Sequence, residues 1–194
     1  MMKQPNEDIP LDPSTLIRIG VVKSVDHGTA KCVVRYGDPD DEDGGAETPP
    51  IRWAHARAGG TRTWSPVSVG EQVLLLSPDG QFGNAVAIGG ITQDSAPAPG
   101  SDETELILFK DGARIAYDPN AHALSAILPD GATAHIEAPG GLSIKGPVSI
   151  EGDVTITGKA TASDDVVASG VSLKNHVHSG VQAGGAQSGK PVAG

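Results

Sequence analysis

Aromatic residues are scarce in this sequence: two Trp, two Tyr and two Phe make up 3% of 194 residues. With so few large rings and only 38% apolar residues, the chain has little with which to build one thick core. Cysteine is nearly absent. Cys32 stands alone and can form no intrachain disulfide, and its setting, AKCVVRYG, reads as an apolar strand carrying a buried structural thiol. Positive charge is also short, with 14 Lys and Arg against 24 Asp and Glu and a formal charge of −10. Such a balance offers no counterion-releasing surface, so no nucleic-acid partner is expected. No apolar run approaches a membrane span, and MMKQPNEDIPLDPS has no basic stretch leading into an apolar one, so the expectation is synthesis in the cytoplasm without a leader.

Glycine and proline, by contrast, are plentiful at 26 and 15 residues. That composition favours short strands joined by tight turns, hence an all-β chain. Residues 1–13 are polar and interrupted by proline, as expected of a flexible arm. From there the runs LIRIGVVKSVD, AKCVVRYG, IRWAHARAG, EQVLLLSPDG and NAVAIGGI predict about five strands within residues 14–92, enough for a small barrel of the OB type. The acidic insert DPDDEDGGAETPP between the second and third runs is expected to be an exposed loop. TQDSAPAPGSDE then reads as a linker, placed at 93–103.

Beyond the linker the period changes. ELILFKDG, ARIAYDPN, HALSAILPDG and AHIEAPGG predict strands closed by strong turns, and LSIKGP VSIEGD VTITGK ATASDD then repeats every six residues. Apolar residues take the first and third places: Leu142 and Ile144, Val148 and Ile150, Val154 and Ile156, Ala160 and Ala162. Residues at i and i+2 of a strand share one face, so each unit presents one thin apolar row, with Gly146, Gly152 and Gly158 permitting a corner. One chain cannot close a core from such a row. A left-handed hexapeptide β-helix, as in acyltransferases, needs many more coils and a small residue directly after the aliphatic one, which this repeat lacks. Three chains each supplying one face solve the burial problem, so residues 104–175 are expected to form an intertwined trimeric β-prism.

The last segment, 176–194, opens with His176 and His178 in NHVHSG and continues in Gly, Ala and Ser. On a strand the two imidazoles project to the same side. Two nitrogens are an incomplete site, but six from three chains form an octahedral shell that suits iron or nickel better than tetrahedral zinc. An H-x-H spacing by itself is more often the mark of a polar tail with two incidental histidines; the repeat ahead of it is what favours a ligand pair.

The block WSPVSVGEQVLLLSPDGQFGNAVAIGGI, residues 64–91, resembles the OB-fold signature of the phage baseplate assembly protein V family, the Mu-like central tail spikes of contractile-tailed phages. IRIGVVKSVD and IRWAHARAGGTRTW fit the same pattern, and HVHSGVQAGGAQSGKP resembles the H-x-H-x-G tip of those spikes. The resemblance implies a homotrimeric, membrane-piercing needle whose OB barrels dock on tail hub and baseplate proteins and whose helix narrows to a metal-bearing apex. It also implies His176 and His178 as the metal ligands, one iron ion per trimer held by six histidines, a place in the virion baseplate after assembly in the host cytoplasm, and transient contact with the host outer membrane.

Catalysis is not expected. Nucleophile elbows, P-loops, H-E-x-x-H and EF-hand loops are absent, and His27, His55, His122 and His135 are scattered without ligand spacing. The competing binding module, an OB barrel reading oligosaccharide or single-stranded nucleic acid, needs stacking rings along a basic groove. Trp53 and Trp64 are instead expected in the core or at an interface.

Overall fold

The computed structural model describes residues 15–38, 40, 45–78, 80–180 and 184–185. The expected N-terminal arm, the centre of the acidic insert and most of the Gly-rich tail lie outside the described residues. The chain divides into two units, 1–135 and 136–194. No α-helix occurs among the described residues, so the chain is all-β, and no helix is long and apolar enough to cross a membrane.

In the first unit, β1 (Ile17–Asp26), β2 (Lys31–Tyr36), β3 (Ala46–Glu47), β4 (Ile51–Trp53), β5 (Gln72–Leu76) and β6 (Val86–Ile91) make one sheet in the order β1-β5-β6-β4-β2-β3. A further β1–β2 pairing closes it into a five-stranded barrel with β3 as an outlying strand. The inward residues follow the period of two: Gly20 and Val22 on β1, Cys32 and Val34 on β2, Ile51 and Trp53 on β4, Val73 and Leu75 on β5, and Ala87 on β6. Cys32 is buried, as its surroundings suggested, and burial pushes its thiol pKa up.

Closure depends on curvature. The ladders shift register between Val22 and Ser24 and again between Gln72 and Leu74, and such bulges bend and twist a strand enough to meet its far neighbour. The β1–β2 turn is stapled by Asp26, whose Oδ1 accepts the Gly28 amide at 2.9 Å and whose Oδ2 accepts the Thr29 hydroxyl at 2.6 Å. Where strand pairing lapses beside β2, buried Thr48 stands in. Its Oγ1 accepts the Val34 amide at 3.0 Å and its own amide donates to the Val34 carbonyl at 2.9 Å. Trp53 is a core residue, whereas Trp64 is 57% exposed with its ring 5.6 Å from both Trp53 and His55.

The same unit also holds a three-stranded meander: β7 (Glu105–Leu108), β8 (Arg114–Asp118) and β9 (Ala123–Ile127). In the second unit the only strands among the described residues are β10 (Val167–Ala168) and β11 (Val171–Ser172), paired as a hairpin. The sequence predicts strands at AHIEAPGG and in every hexad, yet residues 128–166 carry none. The reason is physical. A strand exists through a hydrogen-bonded neighbour, and a single copy offers these three-residue rows no neighbour. Two of the three corners behave as the repeat suggests, with Gly146 at φ 138° and Gly152 at φ 128°, a region that side chains rarely enter, whereas Gly158 stays outside it.

Gly20 gives the fold its clearest test. A Cβ there would lie 2.6 Å from both the Arg35 carbonyl oxygen and Val34 Cγ1, and the backbone contact cannot swing aside. Gly20→Ala is expected to destabilise the barrel by about 1–3 kcal/mol, the usual cost of overpacking. Both tryptophans lie in the barrel, so the midpoint of denaturant unfolding followed by tryptophan fluorescence reports it; an unchanged midpoint would contradict this packing.

Candidate metal centre

The two predicted ligands come together. The His176 and His178 rings meet edge to face with centroids 5.0 Å apart. Their backbone is not in a strand; it follows a turn at 173–175 that leaves the β10–β11 hairpin. The His176 amide donates to the Ser172 carbonyl at 3.1 Å. His176 Nδ1 lies 3.0 Å from that same oxygen and 3.2 Å from the Leu173 carbonyl. A carbonyl only accepts, so Nδ1 carries the proton and the Nε2 lone pair is left for a ligand-binding role. Holding the ring by one nitrogen and offering the other is the way proteins orient metal-binding histidines.

Below the histidines, polar contacts do what packing does elsewhere. Ser169 at φ 49° and Gly170 at φ 82° form the two-residue turn of the hairpin, in which both central residues need positive φ. Asp165 Oδ1 accepts the Val166 amide at 2.8 Å and the Lys174 amide at 3.0 Å, which ties the two ends of the hairpin together. Hydrogen bonding to the Ser172 hydroxyl, then to backbone amides, holds the Asp165 carboxyl below the ordinary aspartate range. Ser172 Oγ in turn accepts the Asn175 amide at 2.8 Å. Lys174 Nζ sits 3.6 Å from Asp164, an exposed pair of little energetic weight.

The sequence marked the histidines but not Asp165 or Ser172. A signal was present, because VVASGVSL is an alternating run broken by a two-residue Ser-Gly turn. His27, His55, His122 and His135 join no such arrangement: among the described residues no three His, Cys, Asp or Glu side chains cluster as a metal site. Among the described residues, one chain therefore brings together two imidazoles and no third such donor.

Because the folded pKa of Asp165 is depressed, its contribution is complete above the unfolded aspartate value of about 3.9 and is lost only as pH falls through the lower folded value. The hairpin is expected to survive mild acidification. The Lys174 amide resonance, followed by NMR, should hold its position to about pH 4 and titrate below it; titration near pH 5 would show that the carboxylate is not engaged.

Comparison with known proteins bears on the barrel and the histidine segment alike. Residues 18–91 match the type VI secretion system/phage-baseplate injector OB domain. Residues 170–192, which include both histidines, match the GpV apex motif. The spike protein of Escherichia phage P2 is 37% identical over 111 residues, covering 57% of this chain and 49% of the relative, so the matched part spans about half of that protein's length. The chain thus carries an injector OB domain and the GpV apex motif, and over about half its length it is similar to a phage spike protein.

Proposed function

We propose that three copies of this chain form the central spike of a contractile tail, a part of the virion that docks on the hub through its barrels and pierces the host outer membrane when the sheath contracts. One observation carries the reading. Leu142, Ile144, Val148, Ile150, Val154 and Ile156, the apolar row of three successive hexads, are each 59–68% exposed in the single chain. Full burial stabilises each such side chain by about 1.5–3 kcal/mol, so the row drives association and two more copies supply its missing walls. The β7–β9 meander asks for the same thing. Ile107, Ile115, Tyr117 and Leu124 share one face through the register Ile107↔Ile115 and Tyr117↔Leu124, and all are exposed. On this reading the spike begins near residue 104 and the metal-bearing tip at 176.

Support for docking through the barrel comes from its outer surface. Ile17, Ile19 and Val21 line the outside of β1 beside Leu76 of β5, an apolar strip suited to a protein neighbour. The role is mechanical, and no catalytic step is assigned to the chain.

The donor set fits a shared metal. His176 and His178 of three chains give six imidazole nitrogens, an octahedral set suited to an iron ion, with His176 presenting Nε2. When bound, the ion supplies cross-linking among three chains. No part of the hexad packing depends on it.

Native mass measurement with elemental analysis of the same sample tests the whole reading, with three chains and one metal ion expected. Monomeric protein would remove the trimeric spike, and metal-free trimer would remove the ligand role. His176→Ala with His178→Ala should abolish the metal and leave the trimer. Ile150→Asp should prevent assembly, since three unpaired carboxylates would be buried together at several kcal/mol each; a soluble trimer from this variant would show that Ile150 faces solvent.

A further inference from the structure

From Ile136 to Gly180 every residue is exposed except two, Asp165 and Ser172, which are half-buried. Among the described residues, the only interior of this unit in a single chain is thus a hydrogen-bonded carboxylate and hydroxyl. From that pair a continuous set of contacts runs to a histidine. Asp165 Oδ1 holds the Lys174 amide at 3.0 Å, and the carboxylate also engages the Ser172 hydroxyl. Ser172 Oγ receives the Asn175 amide at 2.8 Å, while the Ser172 carbonyl receives both the His176 amide at 3.1 Å and His176 Nδ1 at 3.0 Å. The Leu173 amide, donated to the Val166 carbonyl at 2.9 Å, closes the hairpin across the same level.

We propose that Asp165 is a positioning residue for His176: by clamping Ser172 and the Lys174 amide it fixes the carbonyl that accepts the Nδ1–H hydrogen bond, so that each chain presents Nε2 before chains meet. The consequence for metal binding rests on the trimeric metal reading above; the effect on the imidazole does not. In water a neutral imidazole favours the proton on Nε2, the nitrogen a ligand must leave bare. The Ser172 carbonyl reverses that preference, and it holds its place because the hairpin ends are tied. His178 supplies an internal control, since among the described residues its ring packs against that of His176 but has no hydrogen-bond partner to set its tautomer.

The test is nitrogen-15 NMR of the imidazoles in full-length, metal-free protein, at a pH where both are neutral, comparing wild type with Asp165→Asn and Asp165→Ala. Wild-type His176 should carry its proton on Nδ1, the variants should move it toward Nε2, and His178 should be unaffected. Affinity for iron, measured by chelator competition, should fall about 10- to 100-fold, as when other orienting partners of metal histidines are removed, with the trimer intact by sedimentation. An unmoved His176 tautomer in Asp165→Ala overturns the proposal, as does an equal movement of both histidines, the mark of general unravelling. Should the alanine variant fail to assemble, Ser172→Ala keeps the carbonyl and removes only the hydroxyl; a moved tautomer there supports the role and an unmoved one ends it. Wild-type protein that binds no iron defeats the metal reading alone, because the tautomer measurement is independent of it.

Discussion

A row of apolar side chains that a single chain has no means to bury is the constraint from which the rest of this molecule follows. In the barrel each strand also contributes only one row, but five strands close on one another and Val22, Val34, Val73, Leu75 and Ala87 are at most 1% exposed. Beyond residue 135 no second row arrives. The hexads keep their large apolar side chains in water, and what order the isolated chain has there is polar and local. The two kinds of contact differ in scale. Burying a hexad isoleucine is worth about 1.5–3 kcal/mol, whereas a typical hydrogen bond nets about 0.5–1.5 kcal/mol. On the trimeric reading proposed above, assembly is decided by the row and local geometry by the Asp165 network.

The barrel meets the opposite difficulty, too much crowding in too little space. With few aromatics to fill it, the interior is built from Val, Ala, Ile and Leu around Trp53, and the walls lie close together. Gly20 leaves room where β2 crosses β1, and the two bulges supply bend without lengthening the strands. Small side chains inside require a tightly curved wall, and a tightly curved wall requires glycine and bulges at set places. The scarcity of rings and the abundance of glycine are two sides of one design.

How legible this was depends on where each contact partner lies. The barrel strands could be read because alternation and turn residues are local signals, and the inward faces at Cys32/Val34 and Val73/Leu75 follow directly from them. The hexads were legible as a repeat, but they form no strands in a single chain, since none of their rows gains a hydrogen-bonded neighbour there. His176 and His178 were legible as a pair. Their spacing said nothing of which nitrogen carries the proton, because that is set by a carbonyl four residues earlier and by a turn whose φ values no composition reveals. Asp165 was hidden for a different reason. At the end of ATASDD it reads as a solvated terminus of the repeat, and only the return of the chain at Lys174 turns it into a clamp.

The order of these devices along the sequence has a physical logic. Apolar area per hexad falls from Leu142 and Ile144 through Val154 and Ile156 to Ala160 and Ala162, so the burial available to any assembly falls with it. Hydrophobic stabilisation scales with area and fades as side chains shrink. Hydrogen bonds and ligand bonds do not, because each depends on a few atoms in fixed geometry. The carboxylate clamp begins three residues after the last alanine pair, and the histidines follow eleven residues after the clamp. Where area runs out, directional contacts take over, and they are placed at the hairpin, the one strand-paired stretch among the described residues of the unit.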